Sequence, residues 1–131
     1  MNGHKVIHDR LNQFTGLTDL VGTRIYPLVM PDKPQYPAVT FHVIASSSEK
    51  GSTSDPAMMK CIVQVTAWDK TLLGARTVAD QIRKALDRYR NVTLNGVKVD
   101  DCIFEGDQDL YDPEPKIFYV PVTFRLHFRE S

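Results

Sequence analysis

Polar and apolar residues alternate most regularly near the end of the chain. Phe118, Val120, Val122, Phe124, Leu126 and Phe128 are separated by Tyr119, Pro121, Thr123, Arg125, His127 and Arg129. A period of two belongs to a strand with one face on a core and the other on solvent or a partner. The same pattern sets Met59, Cys61, Val63, Val65 and Ala67 against Lys60, Ile62, Gln64, Thr66 and Trp68, and Val39, Phe41, Val43 and Ala45 against Thr40, His42 and Ile44. The first set in each strand is its expected core face. Pro121 has no amide to donate, so an edge position or a bulge is expected there.

Between residues 69 and 89 the period changes. Leu72, Ala75, Ala79, Ile82, Leu86 and Tyr89 recur every three or four residues, widened by Val78 and Ala85, while Arg76, Asp80, Arg83, Lys84, Asp87 and Arg88 fall outside the stripe. This predicts one long amphipathic helix lying on a sheet. Asp69 is its first N-cap candidate and Thr71 the second. Ile7, Leu11 and Phe14 predict a short N-terminal helix ended by Thr15-Gly16, with Gly16 in a left-handed cap. Residues 17–22 form one further turn stopped by Gly22, and residues 23–27 are extended because Pro27 blocks a helix.

Residues 30–37 hold three prolines and predict an irregular loop. Residues 46–56, rich in Ser, Thr, Asp and Gly, predict a mobile loop between two antiparallel strands. Asn95-Gly96 stands between Val92-Thr93-Leu94 and Val97-Lys98-Val99, a hairpin signal, and the second strand continues through Cys102 and Phe104 before an acidic stretch over residues 100–114. The expected fold is α+β: an antiparallel β-sheet with a long amphipathic helix packed on one face and a short N-terminal helix.

The 131 residues suit one domain over residues 1–131. Lys plus Arg equals Asp plus Glu, 16 of each, so no global basic field favours nucleic acid as the main partner. No apolar run approaches the roughly 20 residues of a membrane helix. The start, Met1-Asn2-Gly3-His4-Lys5, lacks the apolar stretch of a signal peptide. Cys61 and Cys102 sit on separate strands without Cys-x-x-Cys spacing and read as buried free thiols.

Candidate chemistry is sparse. His4 and His8 are one helical turn apart but lack a third ligand nearby, and the acidic stretch lacks the frame of a calcium loop, so no metal or cofactor is assigned. A small enzyme using His42 or His127 would need a deep pocket with an acid in hydrogen-bond reach. Contact surfaces fit the residue types better. Trp68 with Tyr119, Arg125 and His127 makes a mixed aromatic and basic surface of the kind enriched in interfaces. Arg76, Arg83, Lys84 and Arg88 form the basic outer face of the helix, Asp107, Asp109 and Asp112 lie in the acidic stretch, and Glu49 and Lys50 lie in the predicted loop. These are the candidate subunit or partner contacts.

Four segments carry a resemblance. They are Leu-Thr-Asp-Leu-Val-Gly-Thr-Arg-Ile-Tyr-Pro over residues 17–27, Gln-Tyr-Pro-Ala-Val-Thr-Phe over 35–41, Val-Gln-Val-Thr-Ala-Trp over 63–68 leading into the helix with Ala79, Ile82 and Leu86, and Leu-Tyr-Asp-Pro-Glu-Pro over 110–115. In this order and spacing, from about residue 7 to residue 128, the chain resembles the tail completion family of long-tailed phages and prophages.

The resemblance implies a small subunit similar to tail terminators, forming a hexameric ring on the head-proximal end of the tail tube. There it would stop tube polymerisation and offer the surface on which the filled head docks. It implies a virion location with no membrane, no enzyme activity and no cofactor. The implied partners are further copies of itself, the tail tube protein and a head-completion or neck protein, with DNA only passing through the lumen. A neck or connector role and an unrelated protein-binding α+β module stay open as alternatives. A ring needs a different patch on each side of every joint. The basic helix face and the acidic stretch are the expected pair, unless the acids line the lumen, and the loop over residues 46–56 is expected to reach the tube or the neck.

Overall fold

The alternating segments become rows of one curled sheet in the computed structural model, which describes residues 2–48, 58–94 and 96–130. The helices are α1 (Asn2–Gln13), α2 (Thr15–Val21) and α3 (Leu72–Leu86). The strands are β1 (Ile25–Pro27), β2 (Ala38–Ser48), β3 (Met58–Asp69), β4 (Val92–Leu94), β5 (Val97–Asp107), β6 (Leu110–Asp112) and β7 (Ile117–Glu130). Their order across the sheet is β1-β2-β3-β7-β5-β4, with β6 also paired to β7. The fold is α+β as expected. All pairs are antiparallel except β1 with β2, which the sequence pattern did not reveal.

One face of the sheet carries the core. Val120, Val122, Phe124, Leu126 and Phe128 of β7 are buried beside Cys61, Val63, Val65 and Ala67 of β3 and Val39 and Phe41 of β2. α3 covers them with Ala75, Val78, Ala79, Ile82, Ala85 and Leu86, and α1 and α2 add Val6, Ile7, Leu11, Leu17 and Val21. Each large side chain contributes about 1.5–3 kcal/mol by leaving water. The alanines of α3 let its backbone lie close to the sheet.

Several local expectations are corrected. Thr71 rather than Asp69 caps α3: its hydroxyl accepts the Gly74 amide at 3.1 Å, whereas Asp69 still pairs with Phe118 as the last residue of β3. α3 stops at Leu86, and Arg88 follows in the left-handed region at φ 62°, so Tyr89 packs on the core from beyond the helix. Thr15 and Gly16 open α2 instead of closing α1. The carbonyl of Phe14 accepts the amides of Leu17 and Thr18, each at 3.0 Å, and starts the new helix. A Cβ on Gly16 would meet the amide end of the Gln81 side chain on α3 and the ring of Phe14, so α2 and α3 approach closely there. Gly22 does stop α2, at φ 60°.

β2 slips register between Val43 and Ala45, so Ala45 is exposed rather than in the core. Ser46 pairs with Cys61 and Ser48 with Met59, which lengthens the strand into the expected loop. The rest of that loop, with Glu49 and Lys50, lies outside the described residues. β7 is central rather than an edge. Pro121 is tolerated because its carbonyl accepts the Gln108 amide at 3.3 Å on the side where β5 ends and β6 has not begun, so its missing amide faces that same gap. A register shift in β5 between Phe104 and Gly106 lies beside it.

Cys61 and Cys102 are buried free thiols. Both stand opposite Leu126, one strand to either side. Two strand spacings, about 10 Å, keep them beyond disulfide reach. Burial pushes the Cys61 thiol up to about 11. Burial raises Cys102 further, with repulsion from Cys61, Asp101 and Asp87 adding to it.

Candidate interaction surface

The face of the sheet away from the helices is floored by matched rows. Ala38, Trp68 and Tyr119 stand abreast on β2, β3 and β7, followed by Thr40, Thr66 and Pro121, then His42, Gln64 and Thr123. These are the off-beat residues of the alternating strands. They floor a trough of about 580 Å³, walled at one side by Leu28 beyond β1 and at the other by residues 105–108 and Leu110.

Trp68 anchors this floor and is half-buried rather than open. Its ring stacks on Tyr119 with centroids 4.8 Å apart and planes 17° from parallel. Its indole N–H donates to the Thr40 hydroxyl at 2.9 Å. Both of its polar and aromatic capacities are therefore met within the chain. Thr40 and Thr66 are buried, although they belong to the polar set of their strands.

Salt bridges run along the β5 flank, from the trough wall to the other end of β7. Arg125 donates through Nε to Glu105 at 2.6 Å, and Arg129 through Nε to Asp100 at 3.0 Å. Arg76 reaches from α3 to Asp107 and Asp109, each at 3.2 Å, and to Asp80 at 3.6 Å. Burial lowers the proton affinity of the Arg76 guanidinium, and the charges of Asp107, Asp109 and Asp80 more than offset it. Three residues singled out for opposite sides of a subunit contact, Arg76, Asp107 and Asp109, thus meet inside one chain. Asp100, Glu105 and Asp107 are strand residues of β5, not a loop after it.

The remaining candidates lie around this cluster. The Arg83 guanidinium sits 3.9 Å over the Phe104 ring and 3.8 Å from Asp87. Arg88 is exposed while its amide donates to the Cys102 carbonyl at 2.7 Å. Lys84 is exposed and has no ion pair among the described residues. Asp112 ends β6 and accepts the Glu114 amide at 3.1 Å. Glu49 and Lys50 lie outside the described residues. His42 lines the trough without a hydrogen-bonded carboxylate among the described residues, and His127 stands in register between Lys60 and Asp101.

Sequence reasoning passed over the exposed apolar residues Leu28, Val29 and Ile44, at 64%, 71% and 52% exposure. The polar parity of Ile44 was the available signal. For Leu28 and Val29, next to Pro27 in an irregular segment, there was none.

The family model described as tail completion protein gp17 matches residues 5–129 of the chain. No curated protein matches it. Among solved structures, a chain from the virion of a native gene transfer agent particle is similar, with 16% sequence identity and a TM-score of 0.71, over 94% of this chain and 91% of that one. At that identity the likeness shows a shared fold.

Proposed function

Because the chain belongs to the tail completion protein gp17 family, we propose that it closes the head-proximal end of a tail tube as a ring, ends tube polymerisation and presents the surface on which the head docks. Membership makes it a structural protein of a phage tail, located in the virion. The observation that carries the reading is the family match over residues 5–129. The similarly folded chain from a gene transfer agent virion is a second, weaker support.

In this reading the chain does no chemistry. Its partners are further copies of itself, probed as a hexamer, the tail tube protein on one face and a head-completion or neck protein on the other, with DNA passing through the lumen. Arg83 and Lys84 in the last turn of α3, Arg88 just beyond it, and Asp112 on β6 are the charges available for partners. Arg76, Asp107 and Asp109 shape the wall between them by holding one another. Trp68 acts from beneath, stiffening the trough floor through Tyr119 and Thr40.

Native mass spectrometry over a concentration series, with negative-stain images of the most concentrated sample, tests the ring. A hexamer with a central hole is the expected result. A dimer at all concentrations that also fails to bind tube ends would count against it.

A further inference from the structure

Both ends of the sheet are only partly closed. β1 pairs with β2 over residues 39–41, and Leu28 ends that ladder by donating its amide to the Phe41 carbonyl at 2.8 Å. Beyond it, residues 43–46 of β2 have no strand on their outer side among the described residues. At the opposite end β4 covers residues 97–99 of β5. The Arg88 amide then caps Cys102, and Asp87 Oδ1 accepts the Phe104 amide at 3.1 Å. Residues 105–107 carry no further strand or cap on that side among the described residues.

Exposed edges are normally blocked by lysine, proline or an inward charge, because their unpaired amides and carbonyls otherwise recruit another strand. Residues 43–46 of β2 are Val-Ile-Ala-Ser and hold no lysine, proline or inward charge, their one interruption being the register slip between Val43 and Ala45. Ile44 is exposed there, with Leu28 and Val29 exposed at the same end of the sheet. On the β5 side the charges Glu105 and Asp107 are already engaged by Arg125 and Arg76. Gly106 lies between them, and a Cβ on it would find nothing within 4 Å. Its φ of 159° is one that L side chains rarely adopt, so the glycine serves the chain's own backbone at the register shift, and the empty space beside it leaves the edge open to a neighbour. Ile103 and Tyr111 are the exposed apolar residues on this flank.

We propose that a second copy of this chain docks the edge of its β2, residues 43–46, on the edge of β5, residues 105–107, so that the sheet continues from copy to copy. A ring joint requires different surfaces on opposite flanks of each subunit, and these edges are at the two ends of the strand order. Strand direction fits as well. β2, β3, β7 and β5 alternate antiparallel, so β2 and β5 run oppositely, and a copy rotated about an axis near the strand direction meets its neighbour antiparallel. β1 covers one half of β2 and β4 the other half of β5, so the joint is staggered, as strands tilted from the ring axis provide. An extended peptide from another protein would satisfy either edge alone. A second copy satisfies both edges with one kind of contact.

This inference rests on the ring reading above, and its test separates the two. Ile44→Cys is combined in one chain with Ile103→Cys, Glu105→Cys or Asp107→Cys, and each double variant and each single variant is oxidised across a concentration series. The buried Cys61 and Cys102 thiols, both with raised pKa, stay out of the reaction. At least one double variant is expected to give a covalent ladder that ends at the ring size, with no dimer from any single variant. Ile44→Lys, a gatekeeper charge on the edge, is expected to weaken self-association at least tenfold while leaving Tm unchanged.

A ring without any ladder places the joint elsewhere, and overturns the edge pairing while leaving the ring intact. Dimers of the Ile44→Cys single variant mean a symmetric β2 contact and overturn it too. A chain that stays monomeric and gives no ladder also overturns it, with the capping reading then decided by tube assembly.

Discussion

The two faces of β7 differ in what their side chains are asked to do. On the helix side, Phe124, Leu126 and Phe128 are sealed under α3 and α1 and act through area removed from water. On the other side, Thr123, Arg125 and Tyr119 are half-buried, and each is engaged with a particular neighbour or lines the trough. The first face holds the subunit together. The second gives it a shaped, polar surface whose charges are mostly neutralised within the chain.

The contrast predicts unequal effects. Phe124→Ala should cost about 3–5 kcal/mol, because a fully buried ring leaves a cavity that the sheet cannot close. Its neighbour Thr123→Ala should change stability by under about 0.5 kcal/mol. Chemical denaturation of both variants measures the difference, and equal losses would erase the distinction between the faces.

The buried thiols give a second, pH-dependent contrast. Cys61 is held protonated in the fold up to about 11 against an ordinary value of 9.0, so between those values the unfolded chain has lost a proton that the native chain keeps. Stability is therefore full below pH 9 and falls as pH rises toward 11, by up to about 1.4 kcal/mol per pH unit for each thiol. Denaturation midpoints between pH 7 and 10.5 read this slope. Cys61→Ala should remove its share of the slope and leave that of Cys102, and an unchanged slope would show that the core face does not protect the Cys61 thiol.

Smaller effects belong to the outer face. Trp68→Phe keeps the stack on Tyr119 and loses the bond to Thr40, a cost of about 1 kcal/mol. A loss near that of Phe124→Ala would make the trough floor a second core. Arg125→Ala removes a partly exposed ion pair with Glu105 and should cost under about 1 kcal/mol, shrinking further in high salt. A salt-independent loss would mean that the wall is buried more deeply than its exposure indicates.

What could be read from sequence followed periodicity. Apart from Ala45 and Leu72, which are exposed, the core face of each long strand and the buried stripe of α3 were legible because a period of two or of 3.6 assigns a residue to a face without knowledge of its neighbours. What failed depended on neighbours. Asp69 looked like a cap because nothing local says that it still pairs with Phe118, and Thr71 takes the role only once β3 has ended. Gly16 looked like a left-handed stop, but it lies in the first turn of α2, beside the side chain of Gln81, distant in sequence. Pro121 pointed to an edge or a bulge, and only the gap between β5 and β6 explains it inside a central strand.

The candidate surface was less legible for the same reason. Arg76 and Asp109 are 33 residues apart, and their pairing depends on how α3 crosses the sheet. The open halves of β2 and β5 depend on how short β1 and β4 are, and no composition rule reports that.

The central claim is that this chain closes a tail tube, and the most direct measurement is the length of tubes assembled from the tail tube protein of the same particle, imaged with and without the chain. The account predicts tubes that stop growing when the chain is added and carry a ring at one end. Tubes of unchanged length with no chain bound to either end would contradict it.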